Sequence, residues 1–292
     1  MNMKHLLIIA MLATASLSAK IPPQVKKSVA FIFTKDSTNH LSPVGTGFFV
    51  LMKANSNTDT VNFGYLVTAK NVLLNSSGMF FDTVYIRLNR KDGYSDTLNI
   101  PLTQNGIRRF FLHPDSSINL AVIPAYPDLN RYDFLFLPAG MIAPIDFFKQ
   151  ENLAEGDELF HIGMYEDHIG MFKNIPVVRF GKIAQLSEEK YAWGNGFTEL
   201  YLVETQITKG SAGSPLYYYT AAVKDSGGSS VPAKLFLAGI ISGNYGGSHS
   251  QTEYNDLIAV VPAFSLNELF NSPTVMKERE NELARIKNQK AK

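Results

Sequence analysis

The feature that most constrains this sequence is a series of short runs rich in Val, Ile, Phe, Tyr and Thr, each bounded by turn-forming residues. Side chains of this kind pack well on a pleated surface, so each run predicts a strand. Short, evenly spaced strands are typical of a barrel or sandwich. The sequence therefore predicts an all-β protein with strands at 28–34, 44–51, 64–69, 82–89, 95–102, 107–112, 120–124, 158–164, 177–186, 199–207, 215–219, 234–243 and 257–262.

A stretch containing several prolines, residues 125–144, separates these strands into two groups. Connections of this kind commonly mark the passage from one domain to the next. We expect a boundary here, with a first β-domain over residues 25–144 and a second over residues 145–263.

The pattern changes in the C-terminal tail, residues 264–292. Residues 265–270 predict a short helix, and residues 275–292 are rich in Lys, Glu and Arg. The apolar face of this last segment is thin. We therefore expect a solvated terminal helix or a frayed tail there, rather than a helix that binds a partner.

The first nineteen residues have the layout of a secretory signal peptide, with a basic start, an apolar run at 6–12 and small residues at 13–19. The apolar run is too short to cross a bilayer, so we expect no membrane insertion after cleavage. The whole chain has a formal charge of 27 − 26 = +1, and loss of Lys4 leaves 26 − 26 = 0. This balance indicates neither a nucleic acid nor an anionic membrane as a partner.

The chain contains no cysteine, which excludes disulfides and thiol catalysis. Exported animal domains of this size usually carry disulfides. The combination of a signal peptide with a cysteine-free chain therefore favours bacterial export, to the periplasm or beyond.

One loop between two predicted strands, residues 208–216 (TKGSAGSPL), has the composition of a catalytic turn. Small residues at 210, 212 and 213 let the backbone turn tightly and direct successive N–H groups at one point, as in an oxyanion hole. An ordinary turn between strands has the same composition. For these nine residues taken alone, the ordinary turn is the better interpretation.

Three motifs considered together favour the catalytic interpretation. They are Gly45 to Phe48 (GTGF) with Tyr65 to Asn71 (YLVTAKN), His113-Pro114 with Asn119 to Ile123 (NLAVI), and Gly210 to Pro215 (GSAGSP). In this order they resemble the base, orienter and nucleophile signatures of the trypsin-like (chymotrypsin-fold) serine peptidases. The resemblance covers about residues 25–265. It implies two antiparallel six-stranded β-barrels with the site in the cleft between them, followed here by the C-terminal helix.

Carried over position by position, the resemblance places the general base at Asn71, the orienting residue at Asn119 and the nucleophile at Ala212. Alanine has no atom that can attack a carbonyl group, and asparagine does not accept a proton near pH 7. Loss of the nucleophile or the base alone costs a serine protease roughly 10⁶-fold in rate. The backbone N–H groups of Gly210 and Ala212 remain as a predicted oxyanion hole, so we expect an inactive pseudopeptidase.

A serine-type endopeptidase with residual or rewired activity is the alternative. It would need a nucleophile and a base outside the motifs. Ser211 and Ser214 flank position 212, but adjacent residues of a tight turn point in different directions, so we expect both to be structural. The other histidines of the mature chain lie outside the base motif, and a loop histidine would have to enter the cleft; they are His40, His113, His161, His168 and His249.

The peptide-binding half of the site is better preserved. Leu237 to Gly243 (LAGIISG) resembles the strand with which the family pairs an extended peptide, so we expect main-chain pairing along residues 239–243. Gln206 stands six residues before Ala212, at the position of the pocket floor, where a neutral amide argues against selection of Lys or Arg. With Ser242 and Gly243 it completes the predicted pocket. A hairpin exit is an equally good interpretation of residues 242–247.

The leading hypothesis is therefore an exported pseudopeptidase that binds an extended peptide or protein partner in the former cleft. A third possibility is that the cleft is vestigial and that the C-terminal helix or the barrel surface binds the partner. The chain has no HExxH, EF-hand, Walker or CxxC pattern, so the sequence indicates neither a cofactor nor a metal.

Overall fold

The computed structural model of the protein describes residues 21–36, 38–55, 60–193, 196–224, 230–246 and 257–290. The predicted signal peptide lies outside the described residues, and so does His249. None of the described helices is both long enough and apolar enough to cross a membrane.

The described part of the first half of the chain forms ten strands. They are β1 (Val29–Lys35), β2 (Leu41–Asn55), β3 (Thr60–Thr68), β4 (Thr83–Asn89), β5 (Ser95–Pro101), β6 (Thr103–Gln104), β7 (Ile107–Arg108), β8 (Phe111–Leu112), β9 (Ala121–Pro124) and β10 (Leu137–Pro138). Seven of them follow the order β5-β4-β1-β2-β3-β9-β8, and β10 adds an eighth strand by pairing in parallel with β2. The N–H of Arg109 donates to the carbonyl of Leu102 (2.8 Å), which links the chain after β5 to the chain before β8.

The second half contains a closed barrel of six strands, in the cyclic order β11-β12-β15-β20-β19-β16. Two short hairpins, β13-β14 and β17-β18, lie outside it. The bounds are β11 (Glu158–Gly163), β12 (Val177–Gln185), β13 (Tyr191–Trp193), β14 (Gly196–Thr198), β15 (Tyr201–Glu204), β16 (Pro215–Thr220), β17 (Val223–Lys224), β18 (Ser230–Val231), β19 (Lys234–Asn244) and β20 (Leu257–Pro262).

The described helices are few. The α-helices are α1 (Phe147–Gln150), α2 (Phe264–Phe270) and α3 (Pro273–Lys290), and the 3-10 helices span Pro23–Ser28, Lys70–Leu73, Ala139–Met141 and Glu166–His168. The start of α3 is docked rather than solvated, because Val275 is fully buried and Glu278 Oε2 accepts a hydrogen bond from Tyr65 Oη (3.1 Å). The alternative of a frayed tail was therefore wrong for the described residues 273–290. The solvated surface that we expected is limited to the outer face and the later turns of α3.

The core shows why residues 48–52 of β2 (FFVLM) are continuously apolar. Its side chains alternate between two faces, as in any strand. Phe48 and Val50 join a cluster that also contains Leu159 and Ile162 of β11, whereas Phe49 packs inside the first sheet. The two halves of the molecule therefore share one hydrophobic core.

The connection between the halves is in contact with the second barrel before residue 144. Ile142 forms a parallel bridge with Leu237 of β19, and the N–H of Ala143 donates to the Leu237 carbonyl (3.0 Å). The division into domains at residues 25–144, 145–263 and 264–292 stays a prediction.

The prediction of a mostly β protein with few helices and a C-terminal helix is confirmed. The second half closes into a six-stranded barrel, whereas the hydrogen-bonded strands of the first half form an eight-stranded sheet. This architecture is consistent with the trypsin-like double barrel.

Candidate functional site

The predicted nucleophile loop consists of two consecutive tight turns. The N–H of Ser211 donates to the Thr208 carbonyl (3.0 Å), and the N–H of Ser214 donates to the Ser211 carbonyl (3.0 Å). Gly210 and Gly213 have φ angles of 91° and 82°. Such angles are strained for any residue with a Cβ atom, which explains the small residues of this motif.

The loop lies directly against β2. A Cβ atom at Gly213 would collide with the Thr46 carbonyl oxygen and with Thr68 Oγ1. The N–H of Thr46 donates to the Ala212 carbonyl (2.9 Å), and Thr46 Oγ1 donates to the Gly210 carbonyl (2.8 Å). The GTGF motif of the first sheet thus holds the loop of the second barrel, because the backbone N–H and the side-chain hydroxyl of Thr46 both bond to backbone carbonyls of the loop.

Thr46 is a positioning residue that the sequence did not single out. Its hydroxyl also accepts a hydrogen bond from the N–H of Met164 (2.9 Å), at the end of β11, and its side chain is fully buried. The signal in the sequence that could have identified Thr46 is its position inside the GTGF motif. In the described part of the chain, the N–H groups of Gly210 and Ala212 have no hydrogen-bond acceptor.

Asn71, Asn119 and Ser242 form one hydrogen-bonded cluster, which we call the amide cluster. Asn119 Oδ1 accepts from the N–H of Asn71 (2.9 Å), and Asn119 Nδ2 donates to Ser242 Oγ (2.7 Å). Asn71 Nδ2 donates to the Ser242 carbonyl (3.2 Å). Because Asn71 and Asn119 belong to the first half and Ser242 to β19, the cluster joins the two halves. Both ends of the Asn119 amide are satisfied, as burial requires.

The amide cluster has no group that can take up a proton near neutral pH. Its members are neutral, and the Asn71 amide nitrogen acts as a donor rather than as an acceptor. The neighbouring Lys70 donates to the Ser116 carbonyl (2.6 Å), and burial lowers the pKa of its ammonium group. The chemistry available here is hydrogen bonding and apolar contact.

An open cleft of about 410 Å³ lies beside the amide cluster. One wall is the Trp193 indole of β13, which stacks on Tyr245 (centroids 6.2 Å apart, planes 8° apart) and approaches Gly243. The residues that line the cleft are Lys70, Asn71, Ser116, Ser117, Asn119, Trp193 and Gly196. The hairpin that carries Trp193 was not predicted, although it contains the single tryptophan of the chain.

Gln206 is exposed and lies in another depression. Its carbonyl accepts a hydrogen bond from Arg179 Nη1 (3.3 Å). The depression has a volume of about 460 Å³ and shares no lining residue with the cleft; its lining consists of Glu158, Phe180, Gly181, Lys182, Glu204, Thr205 and Gln206. Of the predicted pocket residues, Ser242 lies in the amide cluster and Gly243 against Trp193, whereas Gln206 lines the other depression.

The expectation of main-chain pairing along residues 239–243 was wrong for most of that segment. Gly239 and Ile240 pair with β16 on one side and with β20 on the other. Ile241 pairs with β20 and exchanges hydrogen bonds with Ser214 and Gly213 on its other side. These backbone groups are already used, so an added strand could reach β19 from Gly243 onwards, where the described residues show pairing with β20 alone.

The candidate groups for a rewired enzyme are engaged or buried. Ser211 is 2% exposed and its Oγ accepts from the N–H of Thr208 (3.1 Å), while Ser214 is fully buried. The ring of His113 accepts from the N–H of Asp115 and contacts Glu268 (3.2 Å).

His161 is also withdrawn from solvent. Burial, and secondarily the charge of Arg179, lowers its pKa to about 4. His40 and His168 are exposed, and no described histidine hydrogen-bonds to Ser211 or Ser214.

The chain resembles known proteins at the level of solved structures. No family model matches the chain, and no curated protein matches it. Among solved structures, the chain is similar to the protease domain of MamO from Magnetospirillum magneticum in its apo form, with 16% sequence identity and a TM-score of 0.49. The match covers 84% of this chain and 96% of that chain.

The described residues hold no group of three or more His, Asp or Glu side chains placed to bind a metal ion.

Proposed function

We propose that this chain is a degenerate trypsin-like peptidase that does not hydrolyse peptides and instead binds an extended peptide or protein segment in the former active-site cleft. The observation that carries the proposal is the amide cluster. By the resemblance, Asn71 and Asn119 stand at the positions of the base and the orienting residue, and hydrogen bonds of 2.7–3.2 Å join them to each other and to Ser242. None of the three side chains is a proton acceptor for catalysis.

The nucleophile loop supports the same interpretation. By the resemblance, Ala212 has a methyl group where a hydroxyl would attack, and the N–H groups of Gly210 and Ala212 have no acceptor among the described residues. An oxyanion hole without a nucleophile and base retains on the order of 10³-fold rate enhancement over water, which is far below physiological proteolysis. Such a site still offers two donors to a peptide carbonyl.

The end of β19 and the Trp193 wall support the binding half of the proposal. Among the described residues Gly243 of β19 pairs with β20 alone, and the indole beside it offers a flat apolar surface. Main-chain pairing supplies affinity in strand addition, and aromatic anchors supply much of the energy at interfaces. We infer that a partner enters as an extended segment with an apolar side chain against Trp193.

We also propose that the chain is exported, to the periplasm or outside the cell. This rests on the layout of residues 1–19 and on the absence of cysteine.

Peptide capture tests the proposal. The immobilised protein is incubated with a tryptic digest of casein, and retained peptides are identified by mass spectrometry and titrated individually. We expect Trp193→Ala to weaken binding about tenfold. Phe197→Ala is the matched control, because this exposed side chain lies on the same hairpin and does not line the cleft.

Two outcomes would contradict the proposal. One is cleavage of intact casein by the wild-type protein that disappears in Ala212→Gly. The other is peptide binding that is unchanged by Trp193→Ala but lost when residues 275–292 are removed, because this would place the interaction on the C-terminal helix.

A further inference from the structure

One loop of the second barrel is fastened to the outer strands of the first sheet. It follows β11, and three successive carbonyl groups near its end accept hydrogen bonds from β4 and β5. Arg87 Nη1 donates to Gly170 (2.9 Å), Arg87 Nη2 donates to Met171 (3.0 Å), and Ser95 Oγ donates to Phe172 (3.0 Å). The backbone is thereby fixed with its carbonyl groups turned toward the protein.

A second set of hydrogen bonds holds the same loop two residues later. Asn89 and Asn174 bond reciprocally, since Asn89 Nδ2 donates to the Asn174 carbonyl (3.2 Å) and the N–H of Asn174 donates to Asn89 Oδ1 (2.7 Å). The buried Asn174 amide also donates to the Arg87 carbonyl (2.6 Å). The segment between these contacts is therefore held on both sides.

The held segment presents apolar side chains to solvent. Met171 is 85% exposed and Phe172 63% exposed. The Phe172 ring meets the ring of Tyr94, itself 57% exposed, edge to face at 6.1 Å. We call these three residues the apolar tip. Contiguous exposed apolar surface on a soluble protein commonly marks an interaction site.

Three lysines lie near the apolar tip. Lys91 belongs to the same turn as Tyr94, Lys173 follows Phe172, and Lys26 lines a depression of about 310 Å³ together with Lys173. None of these three lysines forms an ion pair with a carboxylate of the described residues.

The nearby acidic groups are mostly neutralised. Asp92 and Asp96 pair with Arg90, and Asp133 pairs with Lys27. Asp167 remains unpaired within the described part of the loop. The surroundings of the apolar tip therefore have an excess of positive charge, although the whole chain is nearly neutral.

We propose that this face docks peripherally on an anionic lipid surface. Met171, Phe172 and Tyr94 enter the boundary between headgroups and acyl chains, and the lysines remain at the level of the lipid phosphates. Lysine is depleted at protein–protein interfaces, whereas an apolar face rimmed by lysine is typical of proteins that lie on membranes. Long lysine side chains keep their charge in water while their stems cover apolar surface. No segment crosses the bilayer in this arrangement.

Co-sedimentation with vesicles tests the proposal. Residues 20–292, which contain every described element, are mixed with vesicles of phosphatidylglycerol and phosphatidylcholine or of phosphatidylcholine alone. We expect binding to the anionic vesicles that weakens with salt. Met171→Ser/Phe172→Ser should weaken it about tenfold or more, and Lys173→Glu about fivefold or more.

The matched control is Met79→Ser/Phe197→Ser, which removes a methionine and a phenylalanine of similar exposure (63% and 68%) away from the apolar tip. This variant should bind as the wild type does. The proposal is overturned if the wild type ignores anionic vesicles at low salt, or if the tip variant and the control lose equal affinity. It is also overturned if sedimentation velocity shows self-association that the tip variant abolishes while vesicles are not bound, because the occupant is then a second copy. Casein-peptide capture through the cleft is independent of all these outcomes.

Discussion

The nucleophile loop and the amide cluster both join the two halves of the molecule, but they do so with different groups. The loop is held by backbone carbonyls of Gly210 and Ala212 that bond to Thr46. The amide cluster is held largely by the side chains of Asn71, Asn119 and Ser242. The loop contributes only backbone atoms to this contact, so its own side chains can be replaced without loss of the contact, whereas the Thr46 hydroxyl is needed. Catalysis depends on side-chain atoms, so on the proposed function Asn71, Asn119 and Ala212 would remove the chemistry and leave the backbone of the site in place.

Of the variants that test this comparison, we expect Gly213→Ala in the nucleophile loop to have the largest effect on stability. The new Cβ would meet the Thr46 carbonyl and Thr68 Oγ1 at a φ of 82°, so both strain and collision oppose folding. We expect a loss of about 4 kcal/mol in the free energy of unfolding, measured by urea denaturation. Gly93→Ala is the control, because Gly93 has a similar φ of 92° and open space around its Cβ position. It should cost about 1–2 kcal/mol. Equal losses in the two variants would show that the loop is not pressed against β2.

Thr46→Val removes the hydroxyl that links the loop to both halves. The Gly210 carbonyl and the Met164 N–H would stay buried without a partner. We expect about 3 kcal/mol of destabilisation, since each unsatisfied buried group costs about 1–3 kcal/mol. Thr46→Ser keeps the hydroxyl and should recover most of the loss. If Thr46→Ser is as unstable as Thr46→Val, packing of the methyl group rather than hydrogen bonding holds the loop.

Neither the loop nor the amide cluster contains a carboxylate or a histidine, so sensitivity to acid should come from elsewhere. Burial lowers the pKa of His161 from 6.5 to about 4 in the folded protein. Between these two pH values the unfolded chain therefore binds a proton at His161 that the folded protein does not bind. The free energy of unfolding falls as the pH drops from about 6.5 to about 4. We expect this residue to contribute about 3 kcal/mol of that loss.

The contribution of His161 is measured by urea denaturation from pH 7 to pH 4. His161→Gln should flatten this part of the profile. An unchanged profile would show that His161 is accessible to protons in the folded protein.

Asn119→Ala tests the amide cluster itself. It leaves the N–H of Asn71 and the hydroxyl of Ser242 without their partner, and we expect a loss of about 2 kcal/mol. Ser242→Ala should cost about 1 kcal/mol, and the double variant should cost less than the sum of the two. Strict additivity in denaturant unfolding would show that the two side chains are not coupled.

Much of the fold could be predicted from the sequence, because long strands with buried faces leave a clear pattern. Residues 234–243 and 257–262 were predicted as strands, and they form β19 (Lys234–Asn244) and β20 (Leu257–Pro262). Several elements of two or three residues were missed. Strand β10 pairs in parallel with β2 through Leu137 and Pro138, and so short a segment carries no periodicity.

The same contrast holds for the candidate site. The proximity of Asn71 and Asn119 could be predicted because motif order places them. The role of Trp193 could not, because it depends on a hairpin that packs on Tyr245 through tertiary contacts. The placement of Gln206 could not be predicted either. It depends on strand pairing around β15, and the spacing of six residues from Ala212 gives no information about that pairing.

Labelling with a fluorophosphonate probe tests the central claim most directly. The wild type is compared with Ala212→Ser and with Asn71→His/Asn119→Asp/Ala212→Ser, all checked for folding by denaturant unfolding. If the backbone frame persists without its chemistry, the wild type stays unlabelled and the triple variant is labelled at the introduced serine much faster than the single variant. Labelling of the wild type at Ser211 or Ser214, or a folded triple variant that never reacts, would contradict this account.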